Sequence, residues 1–293
     1  MSQSPISEPE IKALISLLDD TDKEVYHHIE EKLLSLGRDA IPVLENAWSN
    51  SFDAVLQQRI ESIVHKIQVD SLKEDLKLWI HTQSDNLLAG AILVSRYQYP
   101  DLDEQKVYEQ LNKIKRDIWL EINENMTALE QVNVINHVLF TVCGFGGNTS
   151  NYHAPQNSFI NSVLETKKGN PLSLGIIYML ISQQLSLPVY GVNLPEHFVL
   201  AYLDKAPEFN PDKKEVLFYI NAFSKGTVFG KSDVDDFIRK LKLEARDEYY
   251  SPCTNPDMIL RMLRNVALSF QKLGDIEKVD ELNGLISLFG VVA

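Results

Sequence analysis

Residues 151–202 read NYHAPQNSFINSVLETKKGNPLSLGIIYMLISQQLSLPVYGVNLPEHFVLAY, and this stretch decides the fold. Its centre, 172–185, is apolar on all sides, which is typical of a buried helix and not of an amphipathic surface helix. Pro171 suits the first turn of that helix, because its missing N–H costs nothing there. The sequence therefore predicts a buried central helix that begins at Pro171.

A shorter helix is predicted before the central helix, and β-strands are predicted after it. Ser158 stands before an apolar run with helical spacing, so we expect it to cap a helix that ends at 167–169, where two lysines and a glycine suit the carbonyl end. The pattern then changes to short β-type runs, at 189–192, 197–202 and 216–220. His197 begins the second run and Asn221 follows the third. We expect their strands to be antiparallel neighbours.

Several short motifs resemble those of one known family. They are Gly144-Phe145, Gly147-Asn148, Asn157-Ser158, Gly169-x-Pro171-x-Ser173-Leu174, Leu187-Pro188 and Pro195-x-His197-Phe198. From about residue 137 to 226 the chain thereby resembles the transglutaminase-like core of the bacterial SirB-type family, a module also found inside a eukaryotic F-box protein. The resemblance implies an α+β, mostly helical fold. In this papain- and transglutaminase-like core the buried helix packs on a small antiparallel sheet, and helical regions flank it.

The resemblance also implies where catalytic groups would lie. Catalytic members of the superfamily carry a Cys at the N-terminus of the buried helix, a His on a following strand and an Asp or Asn on the next strand. The helix end lowers the thiol pKa, the imidazole takes the proton and the third group orients the imidazole. Here Pro171 falls at the nucleophile position, His197 at the imidazole position and Asn221 at the third, where the family usually has Asp. The implied protein is a pseudoenzyme without cofactor or metal.

Other side chains compete for the chemical roles. Ser173 is the only hydroxyl in the first turn of the buried helix; it either bonds a helix-end amide or acts with His197 and Asn221 as the nucleophile of a hydrolase. Cys143 is expected to be a buried structural thiol, because a helix C-terminus raises a thiol pKa, and Cys253 is expected in an exposed loop. His197 is either a general base or ligand donor, or a half-buried structural histidine.

A polar groove is predicted where the nucleophile is missing. Its expected lining is Asn170, Pro171, Ser173, His197 and Asn221, together with His153, which otherwise is simply solvated. The helix end offers free amides and a positive dipole, and such a groove suits a carboxylate, an amide or a peptide backbone. The predicted function is binding of a peptide or protein partner without cleavage. The alternative is a cysteine-independent, amide-processing hydrolase.

The predicted domains are a helical, partly HEAT-like region at 1–135, the transglutaminase-like core at 136–232 and C-terminal helices at 233–293. Residues 36–44 resemble one HEAT-type repeat, and one repeat does not make a solenoid. Three tryptophans are expected to anchor the packing of the first region: Trp48, Trp79 and Trp119. The helix pair around Gly274 resembles a single tetratricopeptide-type hairpin, with Asn255 or Asp257 as its cap. A single hairpin forms no superhelical groove.

Composition excludes several classes of function. The chain has 293 residues, of which 44% are hydrophobic and 24% charged, as expected for a globular protein. The net charge of −13 argues against a nucleic-acid partner, since such affinity comes largely from Lys and Arg on phosphates. No run approaches a membrane span, and the opening MSQSPISEPE does not resemble a signal peptide. Two cysteines without framework spacing suit a reducing compartment, so we expect a cytoplasmic protein.

Overall fold

The computed structural model describes residues 8–20, 22–204 and 215–290. The chain divides into two compact units, Met1–Lys77 and Leu78–Ala293. Residues 78–135 fall in the same unit as the core, whereas the three predicted regions, 1–135, 136–232 and 233–293, stay a prediction. Ser95 links 78–135 to the core, since its buried hydroxyl accepts a 3.0 Å hydrogen bond from the backbone N–H of Ile160.

The first unit is built from helices alone within its described residues. They are α1 (Glu8–Ile15), α2 (Lys23–Leu36), α3 (Ile41–Asn50) and most of α4 (Ala54–Thr82). Asp22 caps α2 by accepting from the N–H of Glu24 at 2.8 Å. A turn of 3-10 helix at Gly37–Ala40 joins α2 to α3, and Gly37 takes the left-handed φ of 61° that such a turn favours in glycine. Leu33 and Leu44, fully buried, belong to the core of this helix pair.

The second unit combines the remaining helices with two small sheets. Its helices are α5 (Leu87–Arg96), α6 (Glu104–Trp119), α7 (Ala128–Asn136), α8 (Ile160–Thr166), α9 (Pro171–Gln184), α10 (Lys231–Lys240), α11 (Asn255–Leu273) and α12 (Ile276–Ser287). Its strands are β1 (Gly146–Gly147), β2 (Lys168–Gly169), β3 (Val189–Leu194), β4 (His197–Leu203), β5 (Val216–Asn221) and β6 (Thr227–Phe229). Strands β1 and β2 pair in parallel, whereas β3 to β6 form an antiparallel sheet in sequence order.

The central helix packs on the antiparallel sheet, which confirms the predicted α+β class. Helix α9 contacts β3 and β4, and all of its residues from Pro171 to Ser182 are buried. Phe198 of β4 fills the space between them. A Cβ added to Gly175 would lie 2.7 Å from Cε1 of that ring, and one added to Gly191 would lie 2.5 Å from Cζ. Both glycines are thus required by the close approach of helix and sheet.

The helix before the centre ends where the sequence predicted, at 167–169, but it begins without the predicted cap and has a lysine, not the glycine, in the left-handed position. Helix α8 begins after Phe159, which makes no side-chain cap, and Ser158 lies in the preceding 3-10 turn. The Ser158 hydroxyl instead accepts a 2.9 Å hydrogen bond from the side chain of Asn170. Lys167, with φ 61°, is the left-handed C-cap, while Gly169 belongs to β2. Ser158 therefore joins the site described below.

The tryptophan prediction is right for one residue of three. Trp79 is only 2% exposed and donates from Nε1 to the carbonyl of Asn86 at 2.9 Å. Trp48 and Trp119 are 40% and 65% exposed, so they do not anchor the packing. Trp119 is the last residue of α6 and follows the buried Ile118, which places it about 100° round the helix from the apolar stripe.

The C-terminal helices form a hairpin that is part of the second unit. The N-cap residue of α11 is Thr254 and not Asn255 or Asp257: the Thr254 hydroxyl accepts from the N–H of Asp257 at 3.3 Å, and the Asp257 carboxylate accepts from the N–H of Thr254 at 2.9 Å. Gly274 ends it with a left-handed φ of 79°. Helix α11 also contacts α5 and the turn before α8, within the same compact unit. No helix within the described residues is long and apolar enough to cross a membrane.

Candidate functional site: a cavity beside the N-terminus of the central helix

The first turn of α9 is closed by a reciprocal cap. Asn170 accepts from the N–H of Ser173 at 2.9 Å, and the Ser173 hydroxyl accepts from the N–H of Asn170 at 3.0 Å. That hydroxyl also donates to the carbonyl of Asn157 at 2.6 Å. Ser173 is 3% exposed, so its donor and acceptor capacity is used within the protein. The interpretation of Ser173 as a helix-end hydrogen-bonding residue agrees with this geometry.

A buried asparagine joins the cap to the loop in front of it. The side-chain amide of Asn157 donates to the carbonyls of Asn151 and Tyr152 at 2.7 and 3.0 Å, and its Oδ1 accepts from Asn148 at 2.9 Å. Asn157 is 2% exposed. Because each hydrogen bond comes from a different part of the loop, Asn157 fixes the position of the segment that carries Tyr152 and His153.

His197 lies at the other side of the same helix end. A two-residue turn, Pro195-Glu196, connects β3 to β4 immediately before it, and Glu196 adopts a φ of 58° that is uncommon for a non-glycine residue. Burial lowers the pKa of His197, and the positive charge of Arg261 lowers it further, whereas hydrogen bonding with Asn221 raises it. The imidazole is therefore held mainly in its neutral form at pH 7.

Asn221 supports the imidazole from the neighbouring strand. Strand β5 ends at Asn221 and runs antiparallel to β4, so the prediction that the two residues lie on adjacent antiparallel strands is confirmed. The side-chain oxygen of Asn221 also accepts from the N–H of Ser224 at 3.1 Å, which holds the carboxamide in place. The structure therefore brings together an imidazole and an orienting amide beside the helix end, but with Pro171 as the first residue of the helix.

These groups border a cavity of about 290 Å³. Of the residues predicted to line the groove, the structure places His153, Asn170, Pro171 and His197 in its wall. Ser173 and Asn221 are not in the wall, because Ser173 is turned into the cap and Asn221 interacts with the imidazole from β5. Tyr152, Leu172 and Phe198 add apolar surface.

The remaining wall comes from α11, which the sequence did not predict as part of the site. Arg261, Asn265, Leu268 and Ser269 lie on one face of that helix and border the cavity. The sequence does show Arg261 between apolar neighbours in a mostly apolar helix, which could have marked it as a candidate site residue. Nothing in the local pattern indicates which part of the chain it contacts. Arg261 is half-buried, and its Nη1 donates to Oδ1 of Asn193 at 3.1 Å and to the carbonyl of Leu194 at 3.0 Å.

The rim of the cavity carries a second basic pair. Nε2 of His153 lies 2.7 Å from Nζ of Lys272, and the imidazole packs edge-on against Tyr152 at 5.1 Å between ring centroids. His153 is exposed, as expected for a loop histidine, while also bordering the cavity.

Neither cysteine lies in the cavity wall. Cys143 is half-buried and not fully buried as predicted; burial is the main cause that raises its thiol pKa, and the nearby Lys167 partly opposes it. Cys253 is also half-buried instead of exposed, because its backbone N–H donates to the carbonyl of Gly191 at 2.8 Å and ties the loop to β3. Burial raises the pKa of Cys253 to about 12. Neither thiol is therefore a ready thiolate at neutral pH.

Within 8–20, 22–204 and 215–290, no group of three or more His, Cys, Asp or Glu side chains is arranged to hold a metal ion.

A buried helix with a capped N-terminus, packed on an antiparallel sheet that holds a His and an Asn on adjacent strands, defines a transglutaminase-like core. A profile described as the transglutaminase-like superfamily matches residues 105–264, which is more than half of the chain, and the chain belongs to that superfamily.

Curated relatives match shorter parts of the chain. A UPF0162 protein of Xylella fastidiosa is 32% identical over 114 residues, covering 39% of this chain and 41% of the relative. F-box only protein 21 of Mus musculus is 24% identical over 190 residues, covering 57% of this chain and 30% of the relative. The matches thus span less than half of each relative. No solved structure matches the chain.

Proposed function

We propose that this protein is a non-catalytic member of the superfamily that binds a peptide or protein partner in the cavity beside the N-terminus of α9. The observation that carries the proposal is Pro171 at the first position of the helix. A proline side chain has no nucleophilic atom, whereas the neighbouring His197 and the cavity remain. Such a site can bind a polar group of a partner without forming a covalent bond to it.

The chemistry of the remaining groups also favours binding. His197 is largely neutral at pH 7, so it offers one donor and one acceptor to a ligand. Asn221 supports one orientation of the ring but cannot stabilise an imidazolium by charge. Apolar surface from Leu172 and Phe198 gives a side chain of the partner a place to pack.

The alternative function is hydrolysis by Ser173 with His197 and Asn221. Its support is the retained His197–Asn221 interaction. A serine nucleophile must pass its proton to the imidazole, but the Ser173 hydroxyl donates to the carbonyl of Asn157 and lies outside the cavity wall. The binding function requires no rearrangement of the cap, and we prefer it for that reason.

Finer features of the protein belong to the same proposal. We propose a SirB-type, bacterial, cytoplasmic protein, with the helix pair of α2 and α3 as a HEAT-like element and the α11–α12 hairpin as a tetratricopeptide-like one. The acidic composition, with a net charge of −13, supports a protein or peptide partner over a nucleic acid or an anionic membrane surface.

The test is capture of partners from a lysate of the source organism by wild type and by the His197→Ala variant, with mass analysis of captured chains. The matched control is His81→Ala, which removes an exposed histidine that does not border the cavity. We expect wild type and the control to release the same intact partners, and the His197 variant to release less of them.

Two results would contradict the proposal. Partners that are trimmed or cross-linked by wild type, but not by His197→Ala, would establish catalysis. Equal capture by all three proteins would assign the interaction to a surface other than the cavity.

A further inference from the structure

A half-buried cation, Arg261, borders the cavity, and no carboxylate among the described residues forms an ion pair with it. Arg261 has five N–H donors, and its hydrogen bonds from Nη1 go to two neutral oxygens, on Asn193 and Leu194. None of the ion pairs formed by the described residues includes Arg261. Burying a guanidinium without a counter-ion costs free energy, and a ligand anion would remove that cost.

The surroundings of Arg261 are basic, although the whole chain is acidic. His197 borders the cavity together with Arg261, and His153, which also borders it, contacts Lys272. Glu196 is the one acidic side chain among the residues that border the cavity within the described chain.

The charge balance decides which anion fits. With His197 neutral, Arg261 supplies one formal positive charge inside the cavity, and Glu196 at the wall opposes further negative charge. A carboxylate adds one negative charge beside Arg261 and Glu196, whereas a phosphate group adds nearly two at neutral pH, so a carboxylate meets less repulsion from Glu196. The planar guanidinium also matches a carboxylate in two-point hydrogen bonding.

We propose that the cavity recognises a carboxylate, bound by the free side of the Arg261 guanidinium, with the attached apolar group packed on Leu172 and Leu268. This inference rests on the proposed function and names the chemistry that its partner presents. The carboxylate belongs either to the C-terminus of a peptide or to an acidic side chain. A volume of about 290 Å³ holds a short segment at most.

The test uses the full chain with histidine labelled for NMR, and it follows the imidazole signal of His197, assigned from the His197→Gln variant. The probes are N-acetyl-Ala-Leu with a free carboxylate, its C-terminal amide, N-acetyl-Glu-amide and inorganic phosphate. We expect a carboxylate probe to bind at least about tenfold more tightly than the Ala-Leu amide, because a hydrogen bond to a charged group is worth that factor or more.

Variants assign the effect to the guanidinium. Arg261→Met should weaken binding of the carboxylate probe at least about tenfold. Arg261→Lys keeps the charge but loses two-point hydrogen bonding, so its affinity should lie between those of wild type and Arg261→Met. The matched control is Arg264→Met, on the same helix but exposed and outside the cavity wall. It should bind as wild type does.

The outcomes separate this inference from the function on which it rests. Equal binding of the acid and the amide, tighter binding of phosphate, no binding of either carboxylate probe, or an unchanged affinity in both Arg261 variants would overturn the carboxylate assignment. Partners captured through His197 would still support the proposed function in those cases. Conversely, carboxylate binding that depends on Arg261, together with equal partner capture by wild type and His197→Ala, would support the carboxylate site and contradict the proposed function. A preference between the Ala-Leu acid and N-acetyl-Glu-amide identifies a chain terminus or a side chain as the source.

Discussion

The two sides of the cavity are built in opposite ways. On the α9 side, Asn157 and Ser173 satisfy their polar atoms with partners inside the protein. On the α11 side, Arg261 leaves most of its donors without a protein partner among the described residues. A polar network that is fully satisfied gives rigidity, whereas an unpaired buried charge is costly unless something else pairs with it. The α9 side therefore fixes the shape of the cavity, and the α11 side carries the group that we propose to bind a ligand.

Buried polar groups that serve the structure differ in chemistry from those that bind ligands. Neutral amides and hydroxyls can be buried at little net cost when each finds its partner, so they suit the permanent structure behind the cavity wall. A guanidinium remains charged at all ordinary pH values, and its need for an anion persists. Substitutions on the two sides should therefore change different measurable quantities.

The largest expected effect is loss of stability from the α9 side. Asn157→Ala removes three hydrogen bonds and strands the carbonyls of Asn151 and Tyr152, so we expect about 3 kcal/mol less free energy of unfolding. Chemical denaturation followed by tryptophan fluorescence measures it. The control is Asn133→Ala, an exposed asparagine on α7, which should change stability by less than about 0.5 kcal/mol. Equal changes in the free energy of unfolding for both variants would contradict a structural role of the Asn157 hydrogen bonds.

A smaller loss is expected at the helix cap. Ser173→Ala should cost about 1–2 kcal/mol, because the cap and a buried hydrogen bond are lost together. Partner capture should persist, since the hydroxyl does not reach the cavity. Ser287→Ala provides the comparison, as Ser287 is an exposed helix serine bonded only to its own helix at 2.8 Å. Loss of an activity in Ser173→Ala without loss of stability would instead revive the hydrolase alternative.

The α9 side was largely predictable because its information is local in sequence. The apolar run and Pro171 indicate the buried helix, and the alternating runs indicate strands that hold His197 and Asn221. The error at Ser158 is instructive. A serine before an apolar run resembles a cap, but this hydroxyl accepts from Asn170, twelve residues later, and that tertiary partner outweighs the local preference.

The α11 side could not be predicted because its information is not local. Arg261 is more than sixty residues from His197 in sequence, and both border the cavity only because α11 packs against other elements of the same unit. The helical periodicity of α11 shows which residues share a face but not what that face contacts. The prediction that Trp119 is buried was wrong for a related reason. A shift of one position along a helix moves a side chain from the buried apolar face to the solvent.

A near-neutral change is expected when the charge on the α11 side is removed. Arg261→Met gives up two hydrogen bonds, to Asn193 and Leu194, but it also removes the cost of an unpaired cation. We expect the free energy of unfolding to change by less than about 1 kcal/mol, by the same denaturation measurement, with Arg264→Met as the control. A loss of about 3 kcal/mol would place Arg261 among the structural groups and end the contrast between the two sides.

The smallest expected effect is electrostatic, and it concerns His197, which both sides touch. Arg261 of α11 lowers its pKa, Asn221 of β5 raises it, and Phe237 of α10 packs beside the ring at 6.3 Å between centroids, while Glu196 precedes it in the turn. NMR titration should therefore show a higher His197 pKa in Arg261→Met and a lower one in Asn221→Ala. Because the folded pKa lies below the ordinary value near 6.5, the unfolded chain binds more protons in this range. The contribution of His197 to stability is thus complete above pH 6.5 and declines as the pH falls toward the folded pKa, and this decline should be smaller in Arg261→Met. Unchanged pKa values in both variants would mean that burial alone sets the charge of the imidazole, so that neither side of the cavity controls it.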